Sequence, residues 1–311
     1  MPGPAGQDRE ESPMSTFSGV IVPMVTPFNR DEGQTINYAA ADQLVDKLVD
    51  GGVSGIFIFG SNGEFHAVSF EEKVAFAKHV IDYVNHRVPV YVGTGSCSTA
   101  EAIALSQEAE RLGADALSVI NPYFMKISND EIYQYFADVA GSVKIPVMMY
   151  NIPKSTGMNL PAEVVARVAE IDNVRGIKDS SGDMDNLKGY LEAAEGNGMD
   201  VLVGSDSKIK AAVELGASAA IAGTSNLITE QVVSLFDAAA AHDEAKAAEL
   251  QADLEALRDV LHLGTVPTMI KRAIELSGIP VGPARFPAGE STPEKDVKVR
   301  EMLDHYGIAH D

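Results

Sequence analysis

Short apolar runs alternate along this chain with longer segments whose apolar positions recur every three or four residues. The short runs are GVIVPMVTPF from Gly19, GIFIFG from Gly55, PVYVGTG from Pro89 and ALSVINP from Ala116. They continue with PVMMYNIP from Pro146, VRGIKDSS from Val174, DVLVGSD from Asp200 and AAIAGTSNL from Ala219. Near-continuous apolar runs of this length read as strands buried on both faces. Segments such as FEEKVAFAKHVIDYV after Ser69 and TAEAIALSQEAERLG after Ser98 carry the helical period instead. Ser69 and Ser98 are placed as N-caps with acidic residues in the first turn, and Gly113 and Gly216 as helix stops.

A parallel crossover needs a helix-length connection, so this succession of strand-helix units predicts a parallel sheet. Their number selects the closed form: an α/β fold, a (β/α)8 TIM barrel with a C-terminal helical extension. The alternative, an open doubly wound sheet, lacks its signature. No GxGxxG follows the first strand, GTGSCS at Gly93 lacks the third glycine, and no GxxxxGK[ST] loop occurs. After Thr229 the strands stop and segments rich in Ala, Leu, Glu and Lys follow. The expected organisation is a disordered tail at 1–16 and a barrel core at 17–228, closed by a helix at about 229–243, with a C-terminal helical layer at 244–311.

Composition narrows the partners. A net charge of −21 argues against nucleic acid or an anionic membrane, both of which need clustered Lys and Arg. A small anion remains possible where backbone amides and one lysine make a local positive pocket. The single cysteine, Cys97, excludes an intrachain disulfide framework and a multi-cysteine metal site, and reads as a packed loop residue rather than a nucleophile. The first residues, MPGPAGQDREESPMST, contain no apolar stretch of the secretory kind, and no run approaches the roughly 18 to 20 apolar residues of a membrane span. The expectation is a soluble, cytoplasmic protein.

In such barrels chemistry sits at the C-terminal ends of the strands. Among those ends, VRGIKDSSGD is anomalous: Lys178 interrupts an apolar strand, although lysine is rarely buried without a partner. It is either a strand end reaching solvent or a desolvated amine used as a nucleophile. Strand periodicity puts it on the face of Val174 and Gly176, with the glycine expected to leave it room inside the mouth. Tyr150 ends the preceding strand. It is either a core aromatic with a bonded hydroxyl or the group that passes protons during imine chemistry. The GSNGEF loop from Gly60 offers Ser61, Asn62 and Gly63, whose amides suit a carboxylate or phosphate, or only a tight turn. Glu64 is either an acid/base or a group that orients backbone. His66 has no histidine partner at metal-ligand spacing, so no metal is expected. Gly223 and Ser205 are further rim positions.

GSNGE at Gly60, YNIP at Tyr150 and GIKDSSGD at Gly176, with GTG at Gly93 and the opening VPMVTPF, resemble the dihydrodipicolinate synthase and N-acetylneuraminate lyase family of class I aldolases. The resemblance runs from about Phe17 to the last helix. It implies that Lys178 forms an imine with pyruvate, that Tyr150 transfers protons with Ser61 beside it, and that Ser61 and Asn62 hold the keto-acid carboxylate. It also implies a homotetramer, with an aromatic of NPYFMK reaching a neighbouring site, and no cofactor. Departures from the synthase pattern bear on substrate. Ser61 and Asn62 stand where it has threonines, Phe124 where it has a second tyrosine, and Ser155 of YNIPKSTG where an arginine binds the aldehyde's carboxylate. Lys154 is one residue out of register. These differences favour a lyase of 4-hydroxy-2-oxo acids or 2-keto-3-deoxy sugar acids, with Asp206 of VGSDSK either bonding substrate hydroxyls or capping the next helix. The rival activity is condensation of pyruvate with aspartate semialdehyde. The rival of another class is a keto-acid sensor without turnover.

Overall fold

The computed structural model describes residues 15–310, so residues 1–14 of the expected tail lie outside the described residues. Residues 15 and 16, assigned to the tail by the sequence reading, lie among the described residues. The Ser15 hydroxyl donates to the Phe17 carbonyl at 2.9 Å, and the Phe17 amide donates to Asp200 Oδ2 at 2.8 Å, fixing the chain to the seventh strand.

The strands are β1 (Gly19–Pro23), β2 (Gly55–Ile58), β3 (Val90–Gly93) and β4 (Ala116–Ile120). They continue with β5 (Val147–Asn151), β6 (Val174–Asp179), β7 (Asp200–Val203) and β8 (Ala219–Ile221). All pair in parallel in chain order, and β8 returns to β1 to close the barrel. The alternation within each strand then sorts side chains into two cores. Phe17, Ile21, Phe57, Tyr91, Met148 and Leu202 fill the interior, while Val22, Ile58, Val92, Val119 and Ile177 pack outward under the helices. The expected caps at Ser69 and Ser98 accept the amides of Glu72 and Glu101, and Gly113 takes the left-handed conformation that ends its helix.

One strand departs from simple alternation. Val147 pairs with Val174 but Met148 pairs with Gly176, so a bulge at Arg175 shifts the register. Val174 consequently joins the outer core and does not share the face of Lys178. Gly176 does point inward, but it makes room for a different side chain from the one expected. A Cβ there would stand 2.8 Å from the ring of Phe17. The glycine accommodates the aromatic plug at the barrel floor.

Beyond β8 come helices Thr229–Ala240, Glu244–Asp253, Glu255–Leu261, Thr268–Leu276 and Pro293–His305. The segment between the last two returns to the β1 and β2 loops. The Phe28 amide donates to the Val281 carbonyl at 2.9 Å, and Gln34 bonds both the Ala284 carbonyl and the Phe286 amide. Gly282, at φ +68°, permits this approach, because a Cβ there would lie 1.9 Å from the Phe28 carbonyl oxygen. Among the described residues no helix is long and apolar enough to cross a membrane.

Gly176→Ala should destabilise the barrel by about 1–3 kcal/mol through overpacking against Phe17. A thermal melt checks this, and an unchanged Tm would remove the glycine from the packing argument.

Candidate active site

Lys178 and Tyr150 are direct neighbours across β5 and β6, paired in register. Both are buried, at 4% exposure each. The Lys178 Nζ lies 4.0 Å from the centre of the Tyr150 ring and 5.3 Å from that of Phe57. Among the described residues no carboxylate pairs with this amine. Aromatic ring faces, not a carboxylate, adjoin this amine.

Two features keep it there. Gly204, at the end of β7, supplies the space: a Cβ would come within 2.7 Å of the Lys178 Cε and 2.1 Å of the Ser180 hydroxyl. One residue beyond the pair, Asn151 and Asp179 tie the two strand ends together, Asn151 Nδ2 donating to Asp179 Oδ1 at 3.0 Å. The Asp179 carboxylate also accepts the amide and hydroxyl of Ser181, while the Leu160 amide donates to Asn151 Oδ1. Buried polar groups so fully satisfied fix the strand ends to one geometry.

Ser61 approaches from the loop after β2. Its hydroxyl lies 3.2 Å from that of Tyr150, so a proton can pass between them. Asn62 faces Gly223 at the end of β8, where a Cβ would stand 3.0 Å from its Nδ2. Gly63 packs on the backbone of Phe59, a Cβ being placed 2.8 Å from its nitrogen. Ser205 is half-buried at the end of β7. The structure therefore brings Lys178, Tyr150 and Ser61 together and places Asn62 against Gly223.

Other expectations are corrected. Asp206 neither caps the helix that follows nor offers a free carboxylate, because its oxygens accept the amides of Gly223 and Thr224 at 3.2 and 2.8 Å. It locks the end of β8 to the end of β7. Glu64 is not an acid/base of the mouth. Its Oε1 pairs with Lys271 Nζ at 2.9 Å and its Oε2 accepts the Arg285 amide at 2.7 Å, with both side chains of the ion pair buried. Phe124 does not line the site of its own chain. It is 96% exposed, at φ +79°, a strained conformation for a bulky residue. Cys97 is exposed and its Sγ–H donates to the Tyr123 carbonyl at 3.1 Å.

Sequence reading missed Lys271, Arg285 and Asn226. Asn226 is buried, donates to the Pro23 and Gly223 carbonyls and accepts the Val25 amide, joining β1 to β8. Burial holds the Lys271 ammonium down to about 8, against the pull of Glu64. A lysine and an arginine on the C-terminal segment carry no local signal that they reach the loop of Glu64.

Gly204→Ala should displace the Lys178 chain and lower kcat/KM by roughly 10²-fold, the scale of a misplacement of about 1 Å. Steady-state kinetics on the folded variant checks this. Full activity would mean that the lysine needs no such space.

Residues 16–306 match the model of the dihydrodipicolinate synthetase family. The 4-hydroxy-tetrahydrodipicolinate synthase of Desulforudis audaxviator is 36% identical over 287 residues, 92% of this chain and 97% of that protein. The crystal structure of dihydrodipicolinate synthase from Aquifex aeolicus superposes with a TM-score of 0.91 at 31% identity, covering 95% of this chain and all of that one. YagE, a prophage protein of E. coli K12 in the dihydrodipicolinic acid synthase family, solved in complex with pyruvate, gives 0.88 at 34% identity over 94% and 99% of the two chains. The chain belongs to the dihydrodipicolinate synthetase family and is an enzyme of its class I aldolase type.

Proposed function

We propose that this enzyme cleaves a 2-keto-3-deoxy sugar acid, or a related 4-hydroxy-2-oxo acid, to pyruvate and an uncharged hydroxyaldehyde through an imine on Lys178. The observation that carries the reading is the unpaired, buried Lys178 amine against Tyr150, whose hydroxyl meets that of Ser61. The amine attacks the C2 carbonyl, and loss of water from the carbinolamine leaves an iminium. Tyr150, through Ser61, takes the proton of the C4 hydroxyl as the C3–C4 bond breaks. The bonding pair flows into the iminium to give an enamine, and the aldehyde departs. Protonation at C3 and hydrolysis then release pyruvate and the free lysine. The reverse sequence is aldol addition. The iminium is the electron sink, so the steps require neither metal nor cofactor.

The pyruvate carboxylate is assigned to the amides of Ser61 and Asn62, with Gly63 giving the turn its shape. Gly223 gives Asn62 its place, and Ser205 is available to a substrate hydroxyl. For the aldehyde half, the serine standing in place of the arginine supports an uncharged acceptor. Bidentate recognition of a second carboxylate needs a guanidinium. Ser155 and Lys154 are both exposed on the short helix Pro153–Thr156. Arg285, below the Ser61 loop, is committed to Glu72 and to the Ala67 and Gln34 carbonyls. In this reading the protein works in the cytoplasm as a homotetramer, and exposed Phe124 reaches toward a neighbouring subunit. The second reading, condensation of pyruvate with aspartate semialdehyde, is favoured by the name of the Desulforudis relative.

Lys178→Ala should abolish turnover in a folded protein, and Tyr150→Phe should slow it by roughly 10² to 10⁴. With pyruvate as donor, glyceraldehyde should be used at least about tenfold better than aspartate semialdehyde, a difference of about 1.4 kcal/mol in transition-state binding. A preference for the semialdehyde would decide for the synthase, and folded Lys178→Ala that still turns over would sink both readings.

A further inference from the structure

Lys178 and Lys271 are both buried near the barrel mouth, and they differ in whether a carboxylate pairs with them. Lys178 faces aromatic rings, whereas Lys271, fully buried on the helix Thr268–Leu276, is held by charge. Its ammonium donates to Glu64 Oε1 at 2.9 Å and to the Thr26 carbonyl at 2.8 Å, and lies 4.3 Å from the ring centre of Phe28. One group of the C-terminal layer thus grips both the loop after β1 and the loop after β2.

The contacts lead directly to the turn assigned to the pyruvate carboxylate. The Thr26 hydroxyl donates to the Gly63 carbonyl at 2.7 Å, and the Glu64 amide donates to the Ser61 carbonyl at 3.3 Å. Glu64 itself is at φ +56°, a conformation unfavourable for a side chain with a Cβ. Its second oxygen accepts the Arg285 amide, while the guanidinium of Arg285 is occupied by Glu72. A buried ion pair adds little net stability over a well-packed apolar pair. Its value here is geometric, since it holds a strained loop in one arrangement.

We propose that Lys271 is a positioning residue for the keto-acid carboxylate: through Glu64 and Thr26 it sets the Ser61–Gly63 turn from the far side, without touching substrate. The proposal rests on the reading of that turn as the pyruvate site. It makes the C-terminal helical layer part of the substrate-binding machinery of the same chain.

The test is calorimetric titration of pyruvate into the full-length protein and its variants. Lys271→Met alone should lower Tm, because it leaves the Glu64 charge buried without its partner. Glu64→Gln with Lys271→Met removes both charges and should recover most of that loss. It should nevertheless bind pyruvate at least about tenfold more weakly, about 1.4 kcal/mol and the size of a charged hydrogen bond. The fraction of protein trapped by borohydride at saturating pyruvate should equal that of the wild type, because the Lys178 amine is untouched. Glu64→Gln alone is the second variant: it is isosteric, and Lys271, already held near 8, can release its proton. It too should weaken binding. Binding within twofold of the wild type in either folded variant overturns the proposal. Failure of the wild type to bind pyruvate overturns the assignment of the turn, and this inference with it.

Discussion

The structure depends on burying one amine with no counter-ion beside it. A lysine in that state is costly, and the barrel meets the cost with shape rather than charge. Gly204 opens the space, Tyr150 and Phe57 present ring faces, and the Asn151–Asp179 bond closes the two strand ends one residue farther on. The in-register pairing of Tyr150 with Lys178 then makes the phenol and amine neighbours without any loop having to place them. Groups positioned by strands are held more tightly than groups positioned by loops, as proton transfer and nucleophilic attack both require.

The loop after β2 has the opposite problem. It carries Ser61 and Asn62, and its conformation is strained at Glu64. Besides Tyr150 and Thr26 it is held from outside the barrel, through Lys271, Arg285 and the segment that passes over Phe28. Asp206 and Asn226 perform the same service for the end of β8. Carboxylates and amides at the rim thus bind backbone more than they await substrate.

How much of this was legible follows from what is local. The eight strands, the helix caps at Ser69 and Ser98 and the placement of Lys178 and Tyr150 on adjacent strand ends were written in period, capping residues and a charge out of place. Gly176 was read correctly as a space-maker but for the wrong neighbour, because the bulge at Arg175 and the filling of the floor by Phe17 are properties of the closed sheet. Asp206 is readable from sequence as a substrate ligand or a cap, because both are local readings, whereas its partners lie on the next strand end. Lys271 was invisible for the same reason: its partner, Glu64, is 207 positions away.

The proposed chemistry requires Lys178 to act as a nucleophile, and trapping tests this most directly. The protein is incubated with pyruvate and borohydride, digested and mapped by mass spectrometry. A reduced pyruvyl adduct confined to the peptide that contains Lys178 is the predicted result. An adduct on Lys271 or any other lysine instead, or none on folded protein while a control aldolase is labelled, would contradict it.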